Sequence, residues 1–108
     1  MANATSVTSR QGRSQFQGVF SEMWQVKATI DADSLNDGAG DNDTVTVPGV
    51  ALGDHVISVG FGVDLAGVMV HGYVSAANTV TLRFQNESGG TVDLSSTTVK
   101  IVIGRPAF

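Results

Sequence analysis

Trp24-Gln25-Val26-Lys27-Ala28-Thr29-Ile30 places apolar residues at 24, 26, 28 and 30 and polar ones at 25, 27 and 29. Successive side chains of an extended chain point to opposite sides, so this period of two defines a strand with one buried and one wet face. Downstream, Thr44 to Val47 alternates Thr and Val and ends at Pro48-Gly49, a turn signal that also removes a backbone donor. Leu52-Gly53-Asp54 makes another corner before His55 to Phe61, where Ile57, Val59 and Phe61 are expected to share a face. Val68 to Val74 leads through Ala76-Ala77-Asn78 into Thr79 to Gln85. There Val80, Leu82 and Phe84 point one way and Thr81 and Arg83 the other, which predicts a hairpin. Asn86-Glu87-Ser88-Gly89-Gly90 supplies a turn, followed by Thr91 to Leu94 and by Thr98 to Gly104, with Val99, Ile101 and Ile103 inward.

Seven short strands result, with turn signals between them and no helical stripe, which is the pattern of a sandwich or small barrel. The expected fold is all-β: an antiparallel β-sandwich of about seven strands with Greek-key or jelly-roll-like connections. Residues 1–18 differ in character. They are rich in Ser, Thr, Gln, Asn and Gly, carry Arg10 and Arg13, contain no acidic residue and cannot form a core alone. The expected organisation is an extended N-terminal arm, 1–18, followed by a β-sandwich domain, 19–108.

A chain of 108 residues can bury one core without staples, and the absence of Cys excludes disulfides, thiol catalysis and thiolate metal sites. Charged residues make up 15% of the chain, against roughly one quarter in average soluble domains, so much of its polar surface is uncharged. Low surface charge suits a part that partners cover. A net charge of -4 with six Lys and Arg in total argues against nucleic acid as a partner. Neither an apolar signal-peptide core in Met1 to Gly18 nor a run of roughly 18 apolar residues is present, so the expectation is synthesis in the cytoplasm and no membrane partner.

The densest polar cluster, Asp31, Asp33, Asp37, Asp41 and Asp43, raises the question of calcium. Counting from Asp31, Leu35 falls at the fifth position, Asn36 at the sixth and Asn42 at the twelfth, so the helix-loop-helix calcium pattern fails. The stretch reads as a solvated loop between two strands. His55 and His71 lack a flanking nucleophile or zinc motif and read as structural. The glycines of Ser58-Val59-Gly60-Phe61-Gly62-Val63 match neither nucleotide fingerprint and suggest a bulge or turn. No catalytic residue, cofactor or metal site is assigned, and the expectation is a non-enzyme. Phe20 and Trp24 are candidates to seal the core, whereas Phe16, in a segment that does not fold by itself, is the better anchor for a neighbouring subunit.

Thr44-Val45-Thr46-Val47-Pro48-Gly49-Val50-Ala51-Leu52-Gly53-Asp54, then Val74 to Asn86 and Gly90-Thr91-Val92-Asp93-Leu94, resembles small β-rich structural proteins of tailed bacteriophages, of the capsid decoration or cement type. The resemblance covers residues 43 to 103 and leaves the arm unmatched. It implies a virion protein on the capsid surface that binds the major capsid protein, often as a homotrimer, and braces junctions between its subunits. Arg10, Arg13, Phe16 and Phe20 are the residues expected at capsid or intersubunit contacts, with the arm laid over a neighbour. The alternative is a tail-associated or host-receptor module that binds glycan through Tyr73 or the acidic loop; a small hydrolase, needing a histidine or paired carboxylates in a pocket, ranks third.

Overall fold

In the computed structural model, which describes residues 3–11 and 19–107, two three-stranded antiparallel sheets face each other. One has the order β4 (His55–Phe61), β7 (Thr97–Pro106), β2 (Phe20–Ile30); the other has the order β3 (Gly40–Thr46), β6 (Thr79–Asn86), β5 (Val68–Ala76). The fold is all-β and sandwich-like. Its inner faces follow the period of two: Trp24, Val26, Ala28 and Ile30 of β2 and Val99, Ile101 and Ile103 of β7 meet Val45 of β3 and Val80, Leu82 and Phe84 of β6, all buried. Full burial of a side chain of this size contributes about 1.5–3 kcal/mol. Phe61 and Phe84 lock the layers edge to face, with centroids 5.9 Å apart at 72°.

Two different devices close the sides of the sandwich. Along one side β1 (Asn3–Gln11) pairs antiparallel with β2, Thr5 opposite Thr29 and Gln11 opposite Met23, and parallel with β3 at Asn3 and Ala4. Along the other side β4 and β5 approach each other without being neighbours in the hydrogen-bonded order. Gly72 permits that approach, because a Cβ there would fall 3.0 Å from Val59 Cγ2 and 3.1 Å from Val56 Cγ1.

The β5–β6 hairpin turns at Ala77-Asn78, where Asn78 takes φ 61°, and docks on the loop after β3. Asn78 Oδ1 accepts from the Gly49 amide at 2.8 Å, and the Val47 amide donates to Asn78 O at 2.9 Å. At the other end Asn86, fully buried, donates from Nδ2 to Leu35 O and Gly90 O, both at 2.8 Å, while its Oδ1 accepts from the Ser88 amide and hydroxyl. One side chain thereby joins the β2–β3 and β6–β7 loops around buried backbone groups.

Several expectations are corrected. Thr91–Leu94 is not a strand: Val92 makes an isolated bridge with Leu35, two reciprocal hydrogen bonds of 2.8 and 2.9 Å, and Leu94 drops into the core. A loop needs only one apolar anchor for this. Residues 3–11 of the segment expected as an extended arm run as β1, paired with free ladder groups of β2 and β3 that need no apolar content. Ile57 does not share the inner face with Val59 and Phe61. A bulge between Val56 and Ser58 adds one residue, so Val56 turns inward and Ile57 stands 47% exposed. Apart from the β1–β2 and β5–β6 pairs, strands consecutive in sequence lie in opposite sheets.

Candidate functional site

The loop from Pro48 to Asp54 is held at one end of the sandwich by Arg105 of β7. Its Nε and Nη2 donate to the two carboxylate oxygens of Asp54, each at 3.0 Å, and Nη2 also donates to Gly49 O at 2.8 Å. The guanidinium lies 5.2 Å from the ring centroid of Trp24, with Glu22 at 3.9 Å, and Trp24 Nε1 donates to Pro48 O at 3.2 Å. Burial alone would raise the pKa of Asp54. The hydrogen bonds from Arg105 and the Ala51 amide, with the charges of Arg105 and His55, outweigh it and hold the carboxyl below its ordinary range.

Exposed apolar side chains stand at the same end as this clamp. Leu52, in the clamped loop, is 71% exposed; Val19, which accepts a hydrogen bond from the Ala107 amide, is 59% exposed. The half-buried ring of Phe20 lies over Gly104, where a Cβ would fall 2.6 Å from its Cδ1 and 3.1 Å from Cδ1 of Ile57. Strand direction explains the gathering: β2 and β4 start here and β7 ends here, His55 pairing with Gly104 and Phe20 with Pro106. β1 finishes towards the same end, with Gln11 opposite Met23.

The outer face of the β3–β6–β5 sheet has a different chemistry. His71, Arg83 and Asn42 form one cross-strand row, Tyr73, Thr81 and Thr44 the next, and Met69, Gln85 and Gly40 the row on the other side. Arg83 donates from Nη1 to Asn42 Oδ1 at 3.4 Å and from Nη2 to Gln85 Oε1 at 3.3 Å. Its guanidinium lies over Gly40, where a Cβ would overlap Nη2. The rings of His71 and Tyr73 stack at 5.7 Å and 22°, and Tyr73 is 42% exposed.

Of the residues expected at contacts, Phe20 is placed at the clamped end. Arg10 lies on β1 opposite Trp24, and Arg13 and Phe16 lie outside the described residues. The acidic stretch does not remain one loop. Asp41 and Asp43 belong to β3, on the side of the strand that faces the core, and Asp43 is buried; Asp37 accepts from the Gly89 amide at 3.1 Å. Among the described residues no group of three His, Asp or Glu side chains could hold a metal ion. Ile57, Leu52, Gly40 and the role of Arg83 were not singled out from the sequence. The outward phase of Arg83 was legible, but its seat on Gly40 depends on the register of β3 with β6.

No protein-family model, no curated protein and no solved structure matches the chain.

Proposed function

We propose that this chain is a non-enzymatic virion component, a capsid decoration protein that binds the major capsid protein on the outside of a phage head and braces junctions between its subunits. The observation that carries the reading is a set of exposed apolar side chains at one end, Val19, Leu52 and Ile57, with Ile57 beside Phe20 over Gly104. Large exposed apolar side chains at one end are suited to burial against a partner. The sandwich-like fold, read in its finer detail as Greek-key or jelly-roll-like, the low charge and the phage-like motif string are consistent with that role, and a trimer repeating this end around a junction would add avidity.

Mixing the purified chain with capsids that lack it, followed by sedimentation, tests the reading. Saturable binding is expected, and the paired substitution Leu52→Asp and Ile57→Asp is expected to weaken it by about a hundredfold, since each burial lost and each charge stranded costs a kcal/mol or more. Both sites are exposed, so the fold should survive the change. Undiminished binding by the variant would place the contact elsewhere, and no binding by the unaltered chain would refute the decoration role. Deleting residues 1–18 is a poor test, because it strips β1 from the edges of β2 and β3.

A further inference from the structure

The outer face of the β3–β6–β5 sheet presents a positioned cation held by neutral amides; the carboxylate of Glu87 accepts from Gln85 Nε2 at 2.8 Å and is not paired with Arg83. Arg83 is exposed, and both of its hydrogen bonds go to neutral amide oxygens, Asn42 Oδ1 and Gln85 Oε1. Among the described residues the guanidinium of Arg83 makes no ion pair, whereas that of Arg105 pairs with Glu22 and Asp54. The two amides and the bare backbone at Gly40 seat the guanidinium, and a fork with five N–H donors retains several for an incoming oxygen pair.

The aromatic groups stand on the neighbouring strand. His71 is directly opposite Arg83 in register, and Tyr73, one row further, stacks on it and presents a ring 42% exposed. The hydrogen-bonding side chains Asn42, Thr44 and Gln85 lie on the other side of Arg83 or in the adjoining rows. The geometry points to this face as a binding site for an acidic saccharide, a uronate- or sialate-bearing oligosaccharide. Its carboxylate is received by Arg83 in a bidentate, charge-assisted pair, the C–H face of a pyranose rests on Tyr73, and ring hydroxyls reach Asn42 and the amide oxygen of Gln85.

Charge complementarity selects an anion, and the combination of one cation, one exposed ring and several neutral hydrogen-bonding groups selects a sugar acid over an acidic peptide. An extended peptide would gain most from adding to a free strand edge. The edge of β5 runs beside β4, with Cα atoms within 8 Å, so that edge offers little room. This inference uses no residue of the clamped end and stands or falls apart from the decoration role.

The test is titration of the ¹⁵N-labelled full chain with tetragalacturonate and with sialyllactose, alongside maltotetraose, lactose and a tetraglutamate peptide. The acidic sugars are expected to shift the amide resonances of His71, Tyr73, Arg83 and Gln85, with the neutral sugars and the peptide at least about tenfold weaker. Arg83→Gln should reduce acidic-sugar affinity about tenfold or more. Gly40→Ala keeps the charge but displaces the guanidinium, a flexible group that can move without harm to the fold, and should weaken binding as well. Absence of shifts with either acidic sugar at millimolar concentration, unchanged affinity in Arg83→Gln, or equal binding of the peptide would each overturn the proposal.

Discussion

Arg105→Met should be among the most damaging single changes at the surface of this protein. The substitution keeps an unbranched apolar stem over Trp24 but removes two hydrogen bonds to Asp54, one to Gly49 O, and the cation above the ring. It also strands the carboxylate of Asp54, whose side chain is 4% exposed, with the Ala51 amide at 2.9 Å as its remaining partner. Breaking a fully buried pair costs 3–5 kcal/mol; Arg105 retains 30% exposure, which screens the pair in part, so the expected loss is about 3 kcal/mol. For a domain of this size that lowers Tm by about 10–20 °C. Urea unfolding followed by far-UV circular dichroism and by the emission of Trp24, the single tryptophan and fully buried, measures it.

The pH dependence supplies an internal check. Asp54 has a depressed pKa in the folded protein, so its pairing contributes stability above the unfolded value of 3.8, and that contribution is lost as pH falls through the folded value. In Arg105→Met the depressing partner is gone while burial remains, which favours the protonated acid. The deficit relative to the unaltered protein should therefore shrink on acidification below about pH 4. Combining Arg105→Met with Asp54→Asn removes the stranded charge and should recover about 1–2 kcal/mol of the loss. A loss under about 1 kcal/mol at neutral pH, or no recovery in the double variant, would show that the pair behaves as an ordinary surface ion pair and refute this reasoning.

Two further substitutions test the packing. Gly72→Val adds branched bulk where even a Cβ stands 3.0–3.3 Å from Val59, Val56 and Leu82, and should cost about 1–3 kcal/mol in urea unfolding, with Gly72→Ala milder. Asn86→Ala leaves Leu35 O, Gly90 O and the Ser88 amide without their side-chain partner and should cost about 3 kcal/mol, together with faster amide exchange at Ser88.

The strands most legible in the sequence were those with one clean apolar face. In β2, β6 and β7 the residues expected inward are buried, because alternation reports burial wherever one side of a sheet meets a core. Legibility failed where pairing rather than burial makes the strand. β1 is read as an arm because its Ser and Thr residues carry no apolar period, yet two open ladders recruit it. It also failed at Ile57, whose side of the sheet is set by a bulge that apolar alternation does not mark. Of the contact residues, Phe20 was found through its position at the junction of arm and body, whereas Leu52 is carried by the clamped loop and Ile57 is turned outward by the bulge in β4.

By itself the sequence determined the class of fold, the identity of most core residues and the turn at Ala77-Asn78. These depend on near neighbours along the chain, whose side chains alternate across a strand or relax at a turn whatever the rest of the molecule does. Tertiary structure alone decided the order of strands, the meeting of Arg105 with Asp54 across 51 positions, and the placing of Arg83 over Gly40. Those contacts depend on which strands cross between the sheets and in what register they pair, and a local pattern of apolar and polar residues is compatible with many such arrangements.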